Sequence, residues 1–140
     1  MKTKIIVMCS LVLMIGVFKP FMAHSQKEQA ALAASDAWLS LVDMEKYAES
    51  WNDTSSYFKN SIELSQWEKV LGSVRKPLGR LLSRKVISQN YTKTLPGAPD
   101  GEYVVIQYDT SFENKKSAIE TVTPSFEEDG VWRVSGYYIK

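Results

Sequence analysis

The feature that most constrains this 140-residue chain is its second half, where four β-rich stretches are separated by turn-forming residues. Between the first and second stands Leu95-Pro96-Gly97-Ala98-Pro99-Asp100-Gly101, and Val104-Val105-Ile106-Gln107-Tyr108 follows almost at once. Pro fixes φ and Gly reaches positive φ, so such a cluster reverses the chain between antiparallel strands. A strand follows the loop, with no phosphate-cradling helix start, so its expected role is to set the register of two central strands. Asn114-Lys115-Lys116 and Asp129-Gly130 supply the next two reversals, the latter a hairpin signal.

The strands are therefore expected over residues 81–94, with a bulge, and over 102–112, 117–127 and 131–139. In the second, Val104, Ile106, Tyr108 and Phe112 alternate with Gln107, Asp109 and Ser111, which turns the first set toward the core. Gly136 in mid-strand marks either a bulge or a close approach by another backbone or a ligand.

The first half has helical periodicity. Ala30, Ala34, Ala37, Trp38, Leu41 and Val42 predict a helix over residues 26–42 with a narrow alanine-lined face. Tyr47, Trp51 and Phe58 predict a second, shorter helical segment broken near Asn52-Asp53. Ser65-Gln66-Trp67-Glu68 has the capping-box pattern, with Trp67, Val70, Leu71 and Val74 as an apolar stripe and Pro77 as the stop. Three N-terminal helices packed on a curved four-stranded antiparallel sheet give an α+β class, since runs of each element type stay apart.

Lys2 and Lys4 precede an apolar run over residues 5–18, and Ala23-His24-Ser25 places small residues where a signal peptidase reads. The expected domains are a signal peptide over 1–25 and a single α+β domain over 26–140, in a periplasmic or secreted protein cleaved after Ser25. The run is shorter than the roughly 20 residues of a membrane span, so no stable membrane insertion is expected after cleavage. Cys9 sits inside the apolar run behind Ile6-Val7-Met8, which lacks the small residues of a lipidation signal.

Cleavage there removes the only Cys and the only His, His24. Disulfide, thiolate and His-based metal or acid–base chemistry are then set aside, and no cofactor or metal is expected. Loss of Lys2, Lys4 and Lys19 from 17 bases leaves 14 against 16 acids, a near-neutral balance that argues against nucleic-acid binding.

Several stretches resemble a known family: Ala37-Trp38-Leu39-Ser40-Leu41-Val42-Asp43, Gln66-Trp67-Glu68, Arg75-Lys76-Pro77-Leu78-Gly79, Glu120-Thr121-Val122-Thr123 and Asp129-Gly130-Val131-Trp132-Arg133-Val134-Ser135-Gly136-Tyr137. Together they resemble bacterial domain-of-unknown-function family number four thousand and nineteen, made of small secreted proteins, across almost the whole mature chain. Glu45 departs from that family's pattern, standing where a glycine or another small residue is expected in many members. The resemblance implies a compartment and a size, and no activity. More distantly, helices ahead of an antiparallel sheet with an Asp-Gly hairpin resemble the cone-like fold of nuclear transport factor two and ketosteroid isomerase. Such cones enclose a pocket for small apolar ligands, although a fold does not fix a function.

Arg75, Arg80, Arg84 and Arg133, with Asp109 and Glu120 as partners, allow two readings. One is a pocket in which guanidinium groups hold an anionic ligand. The other is a set of salt bridges tying the third helix to the sheet, so that Arg84→Ala would cost stability and not activity. An isomerase-like site would need a carboxylate base and a Tyr acid, and Asp109 with Tyr137 or Tyr138 supplies those types. Tyr91, Tyr103, Tyr108, Tyr137, Tyr138 and Trp132 crowd the sheet, and an exposed aromatic face would suit a protein partner or a homodimer through the sheet.

The reading that results is a non-catalytic binding module for a small ligand or a protein partner. Its ligand-binding candidates are Arg84, Asp109, Arg133 and Tyr137. The alternative is a histidine-free, isomerase-like enzyme using an Asp base and a Tyr.

Overall fold

The computed structural model describes residues 19–140, and the predicted apolar leader over 5–18 lies outside the described residues. Four helices precede four strands: α1 (Lys19–Asp43), α2 (Tyr47–Asn52), α3 (Ser56–Ser61), α4 (Leu64–Val74), a 3-10 turn at Lys76–Leu78, then β1 (Leu81–Thr92), β2 (Tyr103–Phe112), β3 (Lys115–Phe126) and β4 (Trp132–Ile139). The α+β class and the antiparallel sheet agree with expectation, and the helix count rises from three to four. The second expected segment breaks at Asp53, and Ser55 starts a new helix by accepting a hydrogen bond from the Phe58 N–H at 3.1 Å.

Helix α1 runs unbroken through Ser25-Gln26, seven residues ahead of the expected start. Its buried line is Ala31, Ser35, Trp38, Leu39 and Val42, whereas Ala30 and Ala37 face solvent. The expected face was rotated because alanine carries too little apolar area to fix the phase; Trp38, Leu39 and Val42 fix it. At its end Glu45 N–H donates to Val42 O at 3.1 Å and Lys46 N–H to Leu41 O at 2.9 Å. That pair of bonds is the Schellman motif, and it puts Glu45 in the left-handed region at φ 59. The departure at Glu45 therefore falls on the position where glycine is the natural residue.

Helix α4 is capped by Glu63 with Gln66, not by Ser65 with Glu68. Trp67 and Leu71 are buried, but Val70 and Val74 are 41% and 47% exposed. The helix packs along the line Trp67, Leu71 and Arg75, so a buried arginine takes the place expected for Val74.

The sheet has the order β1-β2-β3-β4, which makes β1 an edge strand. The 95–101 loop therefore joins an edge strand to a central one rather than two central strands. The register shifts between Leu81 and Ser83, between Val86 and Ser88 and between Thr110 and Phe112, and Ser135, next to Gly136, is the extra residue of a fourth irregularity, opposite Thr123 and Pro124. Val104, Ile106, Tyr108, Thr110 and Phe112 face the helices, alternating as a strand requires. Above them Trp38 donates from Nε1 to Ser50 O at 2.8 Å and meets the Tyr137 ring edge-on at 5.1 Å. Trp67 donates to Ser50 Oγ at 3.0 Å, so one buried serine links α1, α2 and α4.

The α2–α3 link runs beside β4, where Thr54 bridges Val134 and the Ser55 N–H donates to Val134 O at 2.9 Å. No helix among the described residues is long and apolar enough to cross a membrane.

Candidate functional site

Two kinds of feature could carry function: a buried ionic network and a set of surface grooves. The network begins at Asp43, the last residue of α1. Arg84 on β1 donates from Nη1 and Nη2 to its two carboxylate oxygens at 2.7 and 3.0 Å, a bidentate pair, and Arg75 Nη2 adds a bond at 3.1 Å. Arg84 Nε donates to Glu120 Oε1 at 2.7 Å, Thr110 Oγ donates to the same oxygen at 2.7 Å, and Tyr137 donates to Glu120 Oε2. The Arg75 guanidinium lies 4.3 Å over the Phe112 ring and donates from Nη1 to Gly79 O at 2.6 Å.

Burial opposes charge on Arg84, but its hydrogen bonds to Asp43 and then to Glu120 outweigh it and hold its pKa above the ordinary value. Burial first, and the Glu120 charge second, push Tyr137 well above the usual phenol value. Both side chains thus keep their donating protons at neutral pH. Every Glu120 oxygen is engaged, and Glu120 lines none of the grooves below. This arrangement ties the C-terminal ends of α1 and α4 to the sheet, in line with the salt-bridge reading. Asp43 is the member that sequence reasoning missed.

The largest groove, about 610 Å³, lies where the start of α3, the loop before β2 and the β3–β4 turn meet. Its lining includes Asp100, Glu102, Glu127, Glu128 and Asp129, and no Lys or Arg. Glu102 pairs with Lys27, and Arg133 pairs with Glu127 and Asp129 at 2.8 and 2.9 Å. Asp100 and Glu128 have no ion pair among the described residues. A second groove of about 280 Å³ shares the walls Tyr57 and Tyr103 and reaches Gly136, Tyr137 and Tyr138. Tyr57 O–H donates to Gly97 O at 2.9 Å and Tyr103 O–H to Pro99 O at 2.5 Å, so the two rings pin the 95–101 loop.

Of the four predicted site residues, Arg84 and Tyr137 come together through Glu120. Arg133 stands apart on β4, lining a groove of about 320 Å³ with Trp38 and Trp132. Asp109 pairs in register with Lys85 and Ile119, one residue out of phase with the Tyr108–Glu120 pair, so it points to the helix-free face. Asp109 and Tyr137 therefore lie on opposite faces. The predicted aromatic face also contracts: Tyr138 is 58% exposed, while Tyr103, Tyr108 and Trp132 are buried and Tyr91 and Tyr137 pack against the core. Tyr57, a wall of two of these grooves, was missed, since its partner Gly97 lies 40 residues on.

No curated protein and no solved structure matches the chain, so the likeness to the nuclear transport factor two cone rests on element order alone. Residues 34–137 match the model of a family described as "Protein of unknown function (DUF4019)". That match runs from within α1 to within β4 and takes in α2 to α4 and β1 to β3 whole, and the chain belongs to this family.

Proposed function

We propose that the protein is a non-catalytic, secreted or periplasmic binding module whose acidic groove holds a cationic segment of a partner. One observation carries this reading: five carboxylates, of which Asp100 and Glu128 have no ion pair among the described residues, and no Lys or Arg line a groove of about 610 Å³ walled by two tyrosines. Low-dielectric walls lined with one sign of charge concentrate the field, and a tyrosine face adds cation–π attraction for a Lys or Arg side chain. Support for the compartment comes from Lys2, Lys4, the apolar run and the small residues before Gln26. The enzyme alternative loses its Asp109–Tyr137 version, because those two face opposite sides of the sheet, and keeps only Tyr138, which shares the exposed face of Asp109 two strands away.

The test is a titration of the protein with a short Lys-rich peptide and with a Glu-rich peptide of equal length, followed by amide chemical shifts. Shifts at Tyr57, Tyr103 and Glu128 with the basic peptide only, weakened by salt and by Asp100→Asn with Glu128→Gln, are expected. Equal responses to both peptides, or none, would defeat the proposal. The mass of protein recovered from the cell envelope tests the compartment: a chain beginning at Gln26 is expected.

A further inference from the structure

The acidic groove reaches Tyr103, the first residue of β2, while Arg75 lies over Phe112, its last, about 30 Å away along the strand. At that far end a cavity of about 260 Å³ is lined by Asp43, Glu45, Tyr47, Arg75, Lys76 and Arg80, among others. Two of these side chains carry a polar atom that has no partner and no solvent contact: Arg75 Nε and Tyr47 Oη. Arg75 is only 3% exposed, and its two other nitrogens are held by Gly79 O and Asp43, so the guanidinium cannot turn to another acceptor.

Burial first, and the Glu45 charge second, raise the pKa of Tyr47 above the ordinary phenol value, so its hydroxyl keeps its proton. Buried donors without acceptors are rare and costly. What this cavity lacks is an acceptor. Asp43 already accepts three bonds from Arg75 and Arg84 and reaches neither atom. Glu45 turns outward, 4.0 Å from Lys76 Nζ, and these two exposed side chains form the mouth. Three cations against two carboxylates leave the lining net positive.

We propose that this cavity binds one small oxyanion, a phosphate or a carboxylate, drawn in by Lys76 and Arg80, and that the lining parts on binding so that the anion's oxygens accept from Arg75 Nε–H and Tyr47 O–H, which no solute touches in the closed form. The site is independent of the acidic groove. Calorimetric titration of the protein with inorganic phosphate and, separately, with acetate tests it. Saturable one-to-one binding of either anion is expected, and the anion preferred assigns the group as phosphate or carboxylate. Tyr47→Phe keeps the ring and removes one donor to the anion, which weakens binding about tenfold. Glu45→Gly removes a carboxylate from the mouth and tightens binding. Absence of saturable binding to both anions, or unchanged affinity in Tyr47→Phe, overturns the proposal. So does a crystal grown with the anion in which only a water bridges the two atoms.

Discussion

Arg84 donates from Nε to Glu120 Oε1 at 2.7 Å, and Glu120 has no exposed surface at all. A carboxylate so placed is tolerable only while its donors remain, because an uncompensated buried charge has neither water nor partner. Arg84→Ala removes that bond and the bidentate pair to Asp43 together. The expected loss is about 3–5 kcal/mol of unfolding free energy, read from urea denaturation. Tyr137→Phe, which takes one donor from Glu120, is expected to cost about 1.5–3 kcal/mol. Neither change should alter peptide binding at the acidic groove, and a wild-type urea midpoint for Arg84→Ala would contradict this account.

Glu45 closes the end of α1 at φ 59, where a side chain crowds the following carbonyl. Glu45→Gly is expected to stabilise the protein by about 1 kcal/mol, the relief of left-handed strain less the greater chain entropy of glycine. The exposed pair with Lys76 subtracts little. The measurement is the urea midpoint at unchanged slope, and a lower midpoint would show that the Schellman turn tolerates the side chain at no cost.

The pH dependence should carry the mark of Glu102. Its hydrogen bond from Lys27, then that from Tyr91, hold its carboxyl below the ordinary 4.5. A folded pKa below the unfolded one gives stability that is present above about pH 4.5 and lost as pH falls through the folded value. Lys27 is raised above 10.5 chiefly by the same hydrogen bond, so its share is lost only as pH rises through its folded value. Glu102→Gln is therefore expected to flatten the acid limb of thermal stability while lowering the plateau near neutrality. An unchanged acid limb would locate acid sensitivity elsewhere.

Features set by neighbouring residues were legible in the sequence. The alternation of Val104, Ile106 and Tyr108 named the core face of β2, and Asp129-Gly130 gave the last hairpin. The glycine expected at Glu45 had a backbone cause, which the Schellman turn supplies. Features set by strand parity or by distant contacts were not legible. Asp109 and Glu120 are both acids on adjacent strands, and counting back through the Phe112–Lys115 turn would set Ile119 opposite Tyr108 and turn Glu120 outward. The register slips by one residue between Thr110 and Phe112, and that slip, which no local pattern announces, brings Glu120 inward. The Asp43–Arg84 pair spans 41 residues, and nothing local to either residue announces the other. At α4, Glu63 and Ser65 each stand three residues before a Gln or Glu, so the helix start was ambiguous until packing fixed Trp67 inward.

The strand-like contact of Thr54 and Ser55 with Val134 bears on how this protein behaves in a crowd of its own copies. A bare outer strand presents unpaired amides and carbonyls on which another chain can build, the first step toward filaments. On the β4 side the Ser55 N–H already occupies the Val134 carbonyl, and the Ser55, Ser135 and Ser125 hydroxyls link at 2.6 Å steps behind it. On the β1 side two bulges break the regular spacing that an incoming strand would need. One flank is plugged and the other is crooked, so the fold carries its own resistance to end-on polymerisation without a disulfide to enforce it.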